Sequence, residues 1–194
     1  VRIFDDENVL HVEGKVDPMS DIETINLELI LADLQTVTKR LASVARDVKR
    51  GDKDAIAEEA GLQKVEKVLS ESRFASNAEL EEKETVGVKN LQLLTMKPIL
   101  YVLNKKAGGK NFDEIYSTGS GQVPDERWVK LMKFMEDNNA KYVIVDANIE
   151  NELKDFEGEE KESFRQELGA TEDGITNLII SSYSLLGLMS YFTT

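Results

Sequence analysis

Asn104-Lys105 stands at the end of the apolar run Pro98-Ile99-Leu100-Tyr101-Val102-Leu103. A short continuous run of this kind reads as a strand buried on both faces. A polar residue at the carboxyl end of such a strand is where open α/β sheets bind ligands, and an asparagine can offer both a donor and an acceptor to a base edge. The chemistry expected at Asn104 is therefore recognition through hydrogen bonds. Taken alone, the same pattern also serves simply to turn the chain.

Other chemistries find little support. The phosphate-cradling sequence G-x-x-x-x-G-K-[ST] does not occur, since Gly14-Lys15 is followed by Val16 and Gly109-Lys110 by Asn111. Gly119-Ser120-Gly121-Gln122 has no lysine in place and reads as loop. With no cysteine and the single His11, the chain excludes disulfides, thiolate metal centres and His-rich sites. His11 has no serine nucleophile elbow near it and reads as a structural or surface residue. The acidic run Glu157-Gly158-Glu159-Glu160-Lys161-Glu162 lacks the fixed spacing of a cation loop and suits a helix N-terminus. No catalytic residue and no metal ligand is expected in this chain.

The formal charge of −13 argues against a protein that coats nucleic acid by bulk electrostatics, so any such contact must be local. The local candidate is Lys39, Arg40, Arg46, Lys49, Arg50 and Lys53, six basic residues set against Asp47 and Asp52. The plain alternative is a solvated helix tip. A hydrophobic fraction of 41% with no run near the roughly 18 residues of a membrane span predicts a soluble globular body. Val1-Arg2-Ile3-Phe4 has none of the features of a secretory signal, and without an initiator Met the chain is expected to be a piece of a longer, cytoplasmic protein.

The elements that must carry these residues follow from periodicity. Leu27, Ile30, Leu34, Val37, Leu41, Val44 and Val48 alternate in steps of three and four, a heptad seam that predicts a helix from about Asp21 to about Arg50, packed on another helix. Gly51-Asp52 breaks it. Ala55, Leu62, Val65 and Leu69 then continue at helical spacing, giving a helical hairpin, and a third helical stretch is expected from Asn77 to about Leu94. Tyr142-Val143-Ile144-Val145 reads as a second buried strand. A helix starting at Pro124-Asp125 and presenting Trp128, Leu131, Met132 and Met135 makes strand, helix, strand a right-handed parallel crossover. Residues Lys105 to Val123 are expected to be a mobile loop, Glu159 to Leu168 and Ile175 to Leu186 helices, and Tyr191-Phe192-Thr193-Thr194 a short strand.

Read together, Val1 to Leu34, "LLTMKPILYVLN" (Leu93 to Asn104), "QELGATEDGITNLIISSYSLLGL" (Gln166 to Leu188) and the terminal "YFTT" resemble the YchF/Obg-like ATPase family of the P-loop GTPase superfamily, in the family's order. The resemblance implies an α/β fold: the C-terminal half of a P-loop GTPase-like domain, with parallel strands and flanking helices, carrying an inserted antiparallel coiled-coil hairpin. It implies residues 1–20 and 95–194 as a partial nucleotide-binding domain and 21–94 as the helical insertion, with the P-loop, the switch regions and the TGS domain lying outside this chain.

The family's strand-end signature is Asn-x-x-Glu, whose acid helps to select adenine over guanine; here Asn104 and Lys105 match its start while the fourth place holds Ala107. Asn104-Lys105 also resembles the Asn-Lys-x-Asp of ordinary GTPases, which Ala107 fails equally. An off-frame Asn111-Phe112-Asp113-Glu114 lies beyond the strand end. The family's other base-side loop, usually Ser-Ala and a polar residue, falls on Asp146-Ala147-Asn148. The resemblance thus implies ATP or GTP with magnesium as cofactor of the complete protein, Asn104, Lys105, Asp146, Ala147 and Asn148 as base-side residues, and a role linked to the ribosome and translation. Base preference stays open, and the chain alone is expected to be inactive in hydrolysis. Two partner expectations accompany this: ribosome or RNA binding through the hairpin, which as a non-enzymatic interaction module is the alternative function, and self-association through an exposed sheet edge.

Overall fold

The computed structural model describes residues 1–6, 16–118, 121–170, 173–189 and 191; His11, the Gly119-Ser120 pair and Phe192 to Thr194 fall outside them. The chain divides into two compact units, Val1–Ile22 with Ile99–Thr194, and Glu23–Pro98.

The first unit is built on a parallel ladder of β2 (Leu100–Asn104) and β6 (Lys141–Val145), in register from Leu100 opposite Lys141 to Asn104 opposite Val145. Arg2 forms a parallel bridge with Asn104 on the other side of β2, and the short strand β1 (Phe4–Asp5) then pairs antiparallel with β3 (Lys110–Asn111). Between β2 and β6 the chain passes through the hairpin of β4 (Ile115–Thr118) and β5 (Gly121–Pro124) and the helix α4 (Glu126–Asp137). Asp125 starts α4 by accepting from Arg127 N–H at 2.8 Å. One sheet face, with Tyr101, Leu103 and Ile144, joins Leu131 and Met135 of α4 and the buried Ile3, Val16, Ile22 and Phe112 in one core. The opposite face carries Val143 and Val145 and is covered by α7 (Gly174–Leu186), which also packs on α5 (Ala147–Glu152); α6 (Gly158–Glu167) lies between them in the chain.

Arg127 locks α4 to this unit. Its guanidinium lies 3.6 Å from the centre of the Phe112 ring and bonds Asp5 at 2.9 and 3.0 Å and Asp125 at 2.8 and 3.0 Å. These bonds hold both carboxyls below the usual aspartate range. Behind α5, the buried Arg165 of α6 donates to Glu150 Oε1 at 3.0 Å, and the same oxygen accepts from Gly174 N–H at 2.8 Å. With a second ion pair from Arg165 to Asp173 at 3.2 Å, one guanidinium fastens α6 to α5 and to the start of α7.

The second unit is helical. It contains most of α1 (Pro18–Lys49), with α2 (Lys53–Ser70) and α3 (Glu82–Lys89). Pro18 opens α1 as the first helical residue, and the Asp17 carboxylate accepts from Met19 N–H at 3.0 Å. Ile30, Val37 and Val44 of α1 are buried against Ala55, Leu62, Val65 and Leu69 of α2, with Leu34, Leu41 and Val48 partly buried beside them. α2 and α3 approach more closely, because Gly61 and Gly87 face one another's helix. A Cβ on Gly61 would stand 2.9 Å from Glu84 Cβ, and one on Gly87 2.5 Å from Glu58 Cγ.

Several expectations need correction. Leu27, placed on the seam, is 47% exposed, while Asp33, one step off it, is 3% exposed. Asp33 accepts from Leu94 N–H, Thr95 N–H and the Thr95 hydroxyl at 2.7–2.8 Å, so a carboxylate closes the chain returning from α3. The third helical stretch is broken: α3 covers eight residues, flanked by 3-10 turns at Ala75–Asn77 and Leu94–Met96. The strands are not buried on both faces, as Tyr142 is 41% exposed and Leu100 to Val102 are only partly covered. The expected loop of Lys105 to Val123 contains β3 and the β4–β5 hairpin. Tyr191 is in no strand.

Candidate functional site

β2 and β6 end side by side, and their carboxyl ends bring Asn104 and Lys105 next to Asp146, Ala147 and Asn148. Asn104 Oδ1 accepts from Ala147 N–H at 3.0 Å. In the opposite direction Asp146 Oδ2 accepts from Ala107 N–H. Asp146 Oδ1 accepts from Asn148 N–H at 3.0 Å and Ile149 N–H at 3.1 Å, capping α5. Lys105 continues the ladder by donating its N–H to Val145 O at 2.9 Å. Its ammonium has no ion-pair partner among the described residues.

Ala147 and Asn148 are exposed, Asn104 and Lys105 half-buried, and Asp146 buried. Asn148 turns its amide along α5, donating to Glu152 Oε1 at 2.8 Å. Asp146 is thus a structural acceptor, because burial forces its oxygens onto backbone donors. The geometry leaves the Asn104 amide nitrogen as the outward donor: Oδ1 is committed to Ala147, and among the described residues Nδ2 has no partner.

The loop after Asn104 is shaped by a residue that sequence reasoning set aside. Buried Asn111 accepts from Lys106 N–H at 2.8 Å and donates to Lys106 O and Glu114 Oε1, both at 2.9 Å. The off-frame Asn111-to-Glu114 pattern is therefore a loop brace. Its only signal in the sequence is an Asn between two glycines and an aromatic, a common turn composition.

The basic cluster is partly spent. Arg40 makes a two-pronged bond to Glu58 at 2.6 and 2.7 Å, and Arg50 bonds Asp47 at 3.3 Å. Lys39, Arg46 and Lys49 are exposed on α1 and Lys53 at the start of α2, with no ion pair among the described residues. No group of three or more His, Cys, Asp or Glu that could hold a metal occurs among the described residues, and no described helix is long and apolar enough to cross a membrane.

Comparison with known proteins bears on this geometry. No protein-family model matches the chain. The ribosome-binding ATPase YchF of Bacillus subtilis is 47% identical over 193 residues, covering all of this chain and 50% of that protein. Its namesake in Escherichia coli O157:H7 is 34% identical, with the same coverage. The solved structure of the Schizosaccharomyces pombe YchF GTPase superposes with a TM-score of 0.74 at 26% identity, over 100% of this chain and 50% of that one. Parallel ladder, crossover and helical insertion define an α/β protein of the P-loop GTPase-like class. The chain spans about half the length of the curated relatives it matches. Within that class, its whole length is similar to half of a YchF protein.

Proposed function

We propose that this chain supplies the base-recognition side of a purine-nucleotide site in a YchF-type ATPase or GTPase. The observation that carries the reading is the Asn104 amide, held at the carboxyl end of a parallel strand with its nitrogen turned outward as a donor. The surrounding residues fit a base: Lys105 offers an aliphatic stem, and exposed Ala147 and Asn148 form the opposite rim. In the complete protein the cofactor would be ATP or GTP with magnesium, which would bring the triphosphate on which hydrolysis acts. No residue of this chain is assigned to that hydrolysis. Base contacts alone correspond to a dissociation constant of about 1 mM or weaker. Residues 1–20 and 95–194 would form the nucleotide-binding part and 21–94 a coiled-coil insertion, in a cytoplasmic protein.

The test is a titration of the isotope-labelled chain with AMP, followed by amide chemical shifts. Shifts confined to Asn104, Lys105, Ala107, Ala147 and Asn148 are expected. Shifts elsewhere, or none at about 10 mM, well above that affinity, would refute the reading.

A second reading concerns the partner. The B. subtilis relative is named a ribosome-binding ATPase, and Lys39 and Arg46 lie seven residues apart on exposed α1 positions with Lys49 one turn on. This row fits a phosphate backbone, so the hairpin is a candidate ribosomal-RNA contact, with Arg40, Arg50 and Lys53 flanking it. Replacing Lys39, Arg46 and Lys49 by Gln should weaken RNA binding and flatten its salt dependence; unchanged binding would remove the proposal. Self-association through the sheet edge at residues 1–3 completes the partner proposals, and a clean monomer in sedimentation at high concentration would contradict it.

A further inference from the structure

Ala147 and Asn148 ride on α5, a helix of six residues that is too short to hold its place by its own backbone bonds. Ala147, whose N–H meets Asn104 Oδ1, is its first residue, and Glu150 lies about one turn further along. Two groups from later in the chain grip the helix at Glu150. Its Oε1 accepts from the Arg165 guanidinium at 3.0 Å and from Gly174 N–H at 2.8 Å, and the side chains of Arg165 and Glu150 are 2% and 7% exposed. Gly174 comes this near because it has no side chain: a Cβ would stand 3.0 Å from both that oxygen and Val145 Cγ1.

Stability does not explain the charge pair. Burying two opposite charges costs desolvation that their attraction barely repays, so an apolar pair of similar volume often holds a fold as well. Glu150 Oε2 is moreover buried with no hydrogen-bond partner among the described residues, a cost that a pair kept for stability would avoid. What an apolar pair cannot supply is direction. The same guanidinium bonds Asp173 at 3.2 Å, so one planar fork sets α5 against the residue that caps α7. We infer, on the purine-site reading above, that Arg165 is a positioning residue: acting through Glu150, it fixes the angle at which α5 presents Ala147 and Asn148 to the nucleotide.

The test removes both charges and keeps the acceptor of Gly174. In Glu150→Gln with Arg165→Met the amide oxygen takes the place of Oε1, and the net charge that meets the phosphate of AMP is unchanged. Urea denaturation of this double variant should give a midpoint close to that of the unaltered chain. AMP, followed by the amides of Lys105 and Asn148, should bind about fivefold more weakly, and exchange at the Ala147 amide should be about tenfold faster. Arg165→Lys, which keeps the charge but loses the fork, should fall between. A lower midpoint with the AMP affinity of the folded chain unaltered would mean a purely structural pair and overturn the inference. Gly174→Ala strains the same contact without touching a charge and covers the case in which the double variant does not fold: it too should weaken AMP binding, and unaltered affinity there would overturn the inference. Absence of AMP binding by the unaltered chain would reject the purine reading itself, and this inference with it.

Discussion

The helical unit and the strand-end corner solve the problem of joining distant chain segments in opposite ways. In Glu23–Pro98 the join is apolar and wide, with aliphatic side chains of α1 from Ile30 to Val48 packed with those of α2 from Ala55 to Leu69. At the corner it is polar and narrow, made by two side chains that each bond the other loop's backbone. An apolar seam is non-directional, so it tolerates local change but loses much when volume is removed. A clasp of hydrogen bonds contributes little to stability, yet it fixes the direction of every atom it holds. The first suits an arm; the second suits a site that must read a ligand.

Mutations separate these two modes by size. Leu62→Ala, at a fully buried seam position, should cost about 2–5 kcal/mol in chemical denaturation while leaving the corner amides unshifted. Asp33→Ala leaves the amides of Leu94 and Thr95 without their acceptor and should cost about 2–3 kcal/mol. Gly61→Ala drives a methyl group to 2.9 Å from Glu84 Cβ, and should cost about 1–3 kcal/mol by forcing α2 and α3 apart. At the corner, Asn104→Ala frees only the amide of exposed Ala147 and should cost about 1 kcal/mol or less, but abolish the AMP-induced shifts. A stability loss as large as that of Leu62→Ala would erase the contrast.

Much of the helical arm was legible in the sequence, because a heptad repeat is a property of residue type alone. Its failures came where a polar residue replaced an apolar one: Asp33 sits inside since three donors await it, and no periodicity reveals a donor sixty residues away. The ends of β2 and β6 were likewise readable as apolar runs, and the resemblance named Asn104, Lys105 and Asp146-Ala147-Asn148. What could not be read was the crossing of the bonds. Asp146 could have faced a ligand, and only its burial shows that its oxygens serve Ala107 and α5. The bracing role of Asn111 was hidden for the same reason.

The smallest expected effect is that of pH. The bonds of Arg127 hold the carboxyls of Asp5 and Asp125 below their ordinary range, and backbone bonding and nearby Arg165 act in the same sense on Asp173, against the cost of burial. A carboxyl whose pKa is depressed on folding stabilises the fold at pH values above its unfolded pKa. That contribution fades as pH falls below about 4 and the folded form takes up protons. Denaturation midpoints should therefore be flat from neutrality to about pH 5 and decline below it, with Arg127→Met removing much of the decline. An equal decline in that variant would show that the Arg127 pairs contribute nothing.

The clasp itself is tested most directly by amide hydrogen exchange at Ala107 and Ala147 in the unaltered chain, in Asp146→Ala and in Asn104→Ala. If the two loops form one cooperative unit, each substitution should speed exchange at both amides, including the one whose own acceptor is untouched. If Asp146→Ala frees Ala107 alone and Asn104→Ala frees Ala147 alone, the loops are independent and the corner does not hold the Asn104 amide in the way described.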